Sequence, residues 1–172
     1  MAEIEPVVDV AGDAVCGAQG LAHVMEQSGV RLLRFLGGEG ALLDLRSEGL
    51  AKRPQGQPLE LSVVLTDDEG IRALNLKWRQ IDSATDVLSF PLESGPFLGD
   101  VVISVETARG RVNESWDVED ELIFLLIHGL LHLLGHDHEV DQERIVMEAG
   151  EQSMWTALGR TGTLRTPGVG AS

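Results

Sequence analysis

The chain has 172 residues, 43% of them apolar and 24% charged, which fits one domain with its own core and excludes a wholly disordered chain. Cys16 is the only cysteine, so an intramolecular disulfide and a Cys-rich zinc site are both excluded, and a reducing compartment, the cytoplasm, is expected. The formal net charge of −15 repels polyphosphate at long range, so any nucleic-acid binding requires a local basic patch.

In chain order, "MAEIEPVVDV" is acidic where a signal peptide carries positive charge, so export is not expected. The first sixty residues are weakly patterned: "VVDV" and "ALLDL" fit strands, and Ala18 to Gln27 or Leu42 to Ala51 fit helices. "KRPQGQP", residues 52 to 58, reads as a surface loop. "LELSVVLT" alternates like a strand, and "DDEGIRALNLKWRQ" follows as a helix with Ile71, Leu74 and Trp78 at helical spacing behind an acidic start. "TDVLSFPL" and "GDVVISV" read as two strands joined by "ESGPFL", a connection of hairpin length that predicts antiparallel pairing.

"WDVEDELIFLLIHGLLHLL" is too long for a strand; Asp117 suits its N-cap and acids fill the first turn. Apolar residues surround it almost completely, which predicts a buried central helix ending at Gly135. Its apolar tract, Leu122 to Leu134, is shorter than the roughly 20 residues of a membrane span, and no membrane segment is expected. Residues 139 to 158 form a further helix with Ile145, Val146, Trp155 and Leu158 available for packing, and residues 159 to 172 read as a disordered tail. There are no internal repeats.

Residues 128 to 138, "HGLLHLLGHDH", hold four of the five histidines. His128 and His132 are four apart on the buried helix, so their side chains share one face. On its own such a pair is more often satisfied core histidine than ligand. A left-handed turn at Gly135, however, brings the chain back and returns His138 to the same point. Three imidazoles with an open fourth position make a catalytic-type zinc site for one ion per chain. The spacing H-x-x-x-H-x-x-G-x-x-H matches the metzincin signature except at Gly129, where metzincins carry the glutamate that serves as general base. Proteolysis by that route is therefore not expected. His136 and Asp137 suit turn formation or hydrogen bonding to a ligand imidazole, and Met147 suits core packing.

With "LNLKWRQIDSATDVLSFP" at 74 to 91 and "LGDVVIS" at 98 to 104, this histidine segment resembles the YbeY family of bacterial metal-dependent endoribonucleases. The likeness covers about residues 60 to 158. The length predicts a single domain, residues 1 to 158, and the likeness implies an α+β fold with a small mixed sheet. It also implies zinc on His128, His132 and His138, and single-strand-specific cleavage of RNA linked to maturation of the 3′ end of small-subunit (16S) rRNA and to ribosome quality control. The family's functional arginine falls on Arg79, placing Arg79 and His128 as catalytic and Arg79 with Lys77 as substrate-binding. Ser83 and Ala84 depart from the Lys/Pro usual before "TDVLSFP", which removes one positive charge beside the cleft.

Read from chemistry alone, Arg79 suits phosphate because guanidinium is planar, always charged and able to grip two oxygens. The plain alternative is a surface arginine paired with Asp82 or Asp86. Three functions compete: a metal-dependent phosphodiester hydrolase with no obvious general base, a ribosome assembly factor with structural zinc that acts by binding, and a zinc hydrolase of peptides or small molecules. Net charge favours the second, whereas Lys77, Arg79, Arg109 and Arg111 as a local patch, with ribosomal small-subunit proteins completing the docking, favour the first.

Overall fold

The structure is a computed structural model and describes residues 5–12, 14, 17–38 and 56–164. Four strands, β1 (Val7–Ala11), β2 (Glu60–Thr66), β3 (Val87–Pro91) and β4 (Phe97–Ser104), form one mixed sheet in the order β1-β2-β4-β3. β1 and β4 both run parallel to β2, while β3 pairs antiparallel with β4 from Val87↔Ile103 to Pro91↔Gly99. The hairpin expected between "TDVLSFPL" and "GDVVISV" is present. Its loop is shorter than "ESGPFL", because Phe97 pairs with Glu60 and Leu98 is fully buried, drawing both into β4.

Five helices are present among the described residues: α1 (Leu21–Gly37), α2 (Asp68–Arg79), α3 (Val105–Arg109), α4 (Val118–Leu133) and α5 (Asp141–Ala157). α1 runs ten residues beyond Gln27, because Met25, Leu32, Leu33 and Leu36 form a buried stripe that overrides the poor helix propensity of Ser28 and Gly29. The strand expected at "ALLDL", the helix at Leu42 to Ala51 and the loop residues 52 to 55 lie outside the described residues.

α4 is the central helix. Glu121 to Leu131 and Leu133 are all buried, and the helix contacts β3, β4, α1, α3 and α5. Asp117 caps it as expected: its side chain accepts the Asp120 N–H, and the Asp120 carboxylate accepts the Asp117 N–H in return. Two layers of packing result. Leu61, Val63, Leu65, Val101 and Ile103 join α1, α4 and α5 in the main core, while Ile71 of α2 packs on Leu88 and Val102, with Val64, Leu74 and Phe90 around them.

Two packing residues behave differently from the expectation. Trp78 is 61% exposed and Ile145 63% exposed. Trp78 lies past the end of the small α2 cluster, and the buried stripe of α5 runs instead through Met147, Gly150, Glu151, Met154 and Trp155. Residues 160–164, beyond the domain boundary expected at 158, lie against the body. Arg160 pairs with Glu119 and Asp120, and Gln152 holds Gly162 O at 3.1 Å and Leu164 N at 3.0 Å.

Candidate metal centre

The turn after α4 is built as Gly135 requires. Gly135 adopts φ +91°, a region that side chains other than glycine's rarely enter. Its N–H donates to His132 O at 3.0 Å, and the His136 N–H reaches back to Leu131 O at 3.0 Å. Those two bonds make a Schellman stop, which reverses the chain. His138 follows from outside the helix, its backbone N–H held by Asp137 Oδ1 at 2.7 Å.

The three histidines meet. Ring centroids lie 4.7 Å apart for His128 and His132, 5.2 Å for His132 and His138 and 5.6 Å for His128 and His138. One ligating atom from each lies within 4.8 Å of the others. The His128 and His132 Nε2 atoms are 3.1 Å apart, close to the separation of about 3.3 Å that two nitrogens take on a tetrahedral zinc at 2.0–2.1 Å. Burial and the neighbouring His128 and His138 lower the pKa of His132 to about 4. At neutral pH it therefore offers a lone pair, as a metal ligand must.

One residue that the sequence reading missed completes the arrangement. Glu151 is buried on α5, and its Oε1 accepts the Nδ1–H of buried His128 at 2.7 Å. That bond fixes the tautomer, leaving Nε2 bare and turned toward His132. A signal was available: Glu151 stands on the stripe Met147, Glu151, Met154, Trp155, where an acid has no place unless it has a partner. The donor set, three imidazole nitrogens with one ring oriented by a carboxylate, fits zinc.

Beside the histidines lies a cleft of about 410 Å³ lined by Arg79, Val87, Ser89, Pro91, Asp137 and Glu139. The carboxylates proposed to pair with Arg79 are both taken. Asp82 binds Arg72 at 2.7 Å, and buried Asp86 binds Arg111 at 2.7 Å. Arg79 is exposed on the cleft wall instead. The four-cation patch does not assemble there. Arg111 also holds buried Glu121 at 3.2 Å, Arg109 donates to Gly17 O at 3.3 Å, and Lys77 lies over the Trp78 ring, off the cleft wall.

Gly129 explains itself by packing. A Cβ there would lie 2.7 Å from Val101 Cγ1 and 3.1 Å from Ser89 Oγ, and Ser89 Oγ donates to Gly129 O at 3.0 Å. The position that carries the metzincin base is pressed against the sheet. The carboxylates that line the cleft come from the turn, as Asp137 and Glu139.

A mixed sheet backed by a buried helix, with three histidines gathered where that helix stops, defines an α+β protein of the three-histidine metal-site type. The family model for endoribonuclease YbeY matches residues 43–159, and the chain belongs to that family. It is 48% identical over 110 residues to the endoribonuclease YbeY of Agrobacterium fabrum, covering 59% of this chain and 66% of that one. It is 53% identical over 85 residues to that of Nautilia profundicola, covering 48% of this chain and 61% of that one. The matches thus span less than two thirds of those relatives' lengths. The solution structure of TM1509 from Thermotoga maritima shares the fold, with a TM-score of 0.51 at 22% identity over 94% of this chain and 99% of that one.

Proposed function

We propose that the protein is a single-strand-specific, zinc-dependent endoribonuclease that matures the 3′ end of small-subunit (16S) rRNA and serves ribosome quality control. It works in the cytoplasm beside small-subunit ribosomal proteins. The convergence of His128, His132 and His138 on a cleft whose other wall carries Arg79 supports the reading; membership of a family named for endoribonucleases agrees with it. Among the described residues no helix is long and apolar enough to cross a membrane.

His128, His132 and His138 hold one zinc, which when bound supplies Lewis acidity for a water and a phosphoryl oxygen. Arg79 grips the non-bridging oxygens and stabilises the charge that develops on them. Val87 and Pro91 add apolar surface to the cleft wall. With the imidazoles engaged, Asp137 and Glu139 are the lining groups left to take a proton, and Asp137 already accepts the His138 N–H. The acidic lining and the net charge of −15 favour a second reading, an assembly factor that acts by binding.

Incubation of zinc-loaded protein with single-stranded RNA and with peptides separates these readings. RNA cleavage is expected, with Arg79→Ala keeping zinc and fold but losing activity on the order of 10²-fold or more, as for loss of a transition-state donor. Arg79→Lys is also expected to be poor, because one ammonium cannot reproduce the two-pronged contact. Wild-type protein that binds rRNA without cutting it selects the assembly factor.

A further inference from the structure

Trp78 is a large apolar side chain that the fold leaves in water, 61% exposed at the end of α2. Apolar side chains exposed singly are ordinary on a protein surface, so exposure alone assigns it no role. Its ring is nonetheless fixed. Phe90 of β3 meets it edge to face, with centroids 6.2 Å apart at 64°. Lys77 Nζ lies 4.9 Å from the ring centre, and the next residue, Arg79, lines the metal cleft.

β3 is an edge strand of the sheet. Ser89 and Pro91 face the cleft, while Phe90 between them faces the α2 side. Trp78 therefore stands across the strand edge from the histidines, with Arg79 at the crossing. An exposed aromatic ring between two cations, beside a cleft suited to phosphate, matches what single-stranded nucleic acid needs: a π-face for a base and positive charge for its backbone.

Building on the endoribonuclease reading, we propose that Trp78 is the stacking platform for an unpaired base of the RNA, one step along the strand from the phosphate held by Arg79. The flexible stem of Lys77 swings off the ring and keeps its ammonium for the adjoining phosphate. A duplex keeps its bases stacked inside the helix and offers none to Trp78. The platform thereby gives the enzyme its preference for single strands.

The test uses full-length, zinc-loaded protein and three phosphorothioate-linked probes: a single-stranded decaribonucleotide, the same decamer with abasic positions, and the decamer annealed to its complement. Trp78→Ala is expected to weaken the single-stranded probe about tenfold while leaving the other two unchanged, and Trp78→Phe to restore affinity to within about threefold of wild type. Zinc content and Tm remain at wild-type values. Unchanged binding of the decamer by Trp78→Ala, or equal loss on all three probes, overturns the platform while the nuclease reading stands on cleavage by wild type. Trp78-dependent binding of the probe, with no wild-type cleavage of the unmodified phosphodiester-linked decamer, sinks the nuclease reading and keeps the platform. Wild-type protein that binds none of the probes ends both.

Discussion

Glu151 decides which nitrogen of His128 faces the other two histidines. An imidazole free to exchange tautomers presents a bare Nε2 only part of the time, whereas the 2.7 Å bond from Nδ1 to buried Glu151 holds the required form. Glu151→Gln retains the shape and an acceptor oxygen but loses the charge that raises the basicity of the ring. Zinc affinity is expected to fall about 10- to 100-fold, with stoichiometry still one per chain, as read by competition against a chromogenic chelator. Undiminished affinity would show that the charge of Glu151 adds nothing to the site. Arg79, by contrast, contributes through reach rather than support: with Asp82 and Asp86 committed to Arg72 and Arg111, its guanidinium is left for the cleft.

At the scale of the element, α4 supplies two of the three histidines because it is pressed flat against the sheet, and Gly129 makes that approach possible. Gly129→Ala places a methyl 2.7 Å from a γ-carbon of fully buried Val101. Such overpacking costs about 1–3 kcal/mol, to be read from urea unfolding of the apoprotein, with weaker zinc binding as the helix is pushed off the sheet. An unchanged midpoint would mean that the sheet yields freely there. α4 was legible in the sequence because its signals are local: the Asp117 cap, apolar residues all round, the Gly135 stop. The histidine site followed from the same run of residues. The pairing of Glu151 with His128 and the fate of Asp82 and Asp86 were not legible, because each depends on a partner brought in by tertiary packing from α5, α2 or the segment before α4. The same holds for Trp78, whose spacing matches Ile71 but whose position falls beyond the edge of the cluster that Ile71 joins.

Across the described residues, many of the cations are paired within the fold, while the acids are in excess. Arg34, Arg72, Arg111, Arg144 and Arg160, five of the chain's thirteen Lys and Arg, each face carboxylates of their own fold, which leaves less cationic charge for RNA. Lys77 and Arg79 stand at the cleft and beside it. Affinity for single-stranded RNA loses a log–log slope of roughly 0.7 against salt for each phosphate neutralised, so these two cations give a slope of about −1.4. That shallow dependence is the expected outcome of titrating the decamer from low to physiological salt, and Arg79→Ala is expected to halve it. A slope steeper than about −3 requires more than four phosphate contacts, more than Lys77 and Arg79 supply, and would place the RNA on another basic surface. With a shallow slope, long-range attraction does little to bring this acidic protein to its substrate. Under the proposed function, selection would then rest on short-range contacts, the proposed stacked base at Trp78 and phosphate at Arg79, and on the proposed basic ribosomal partners, whose charge would complement that of the protein.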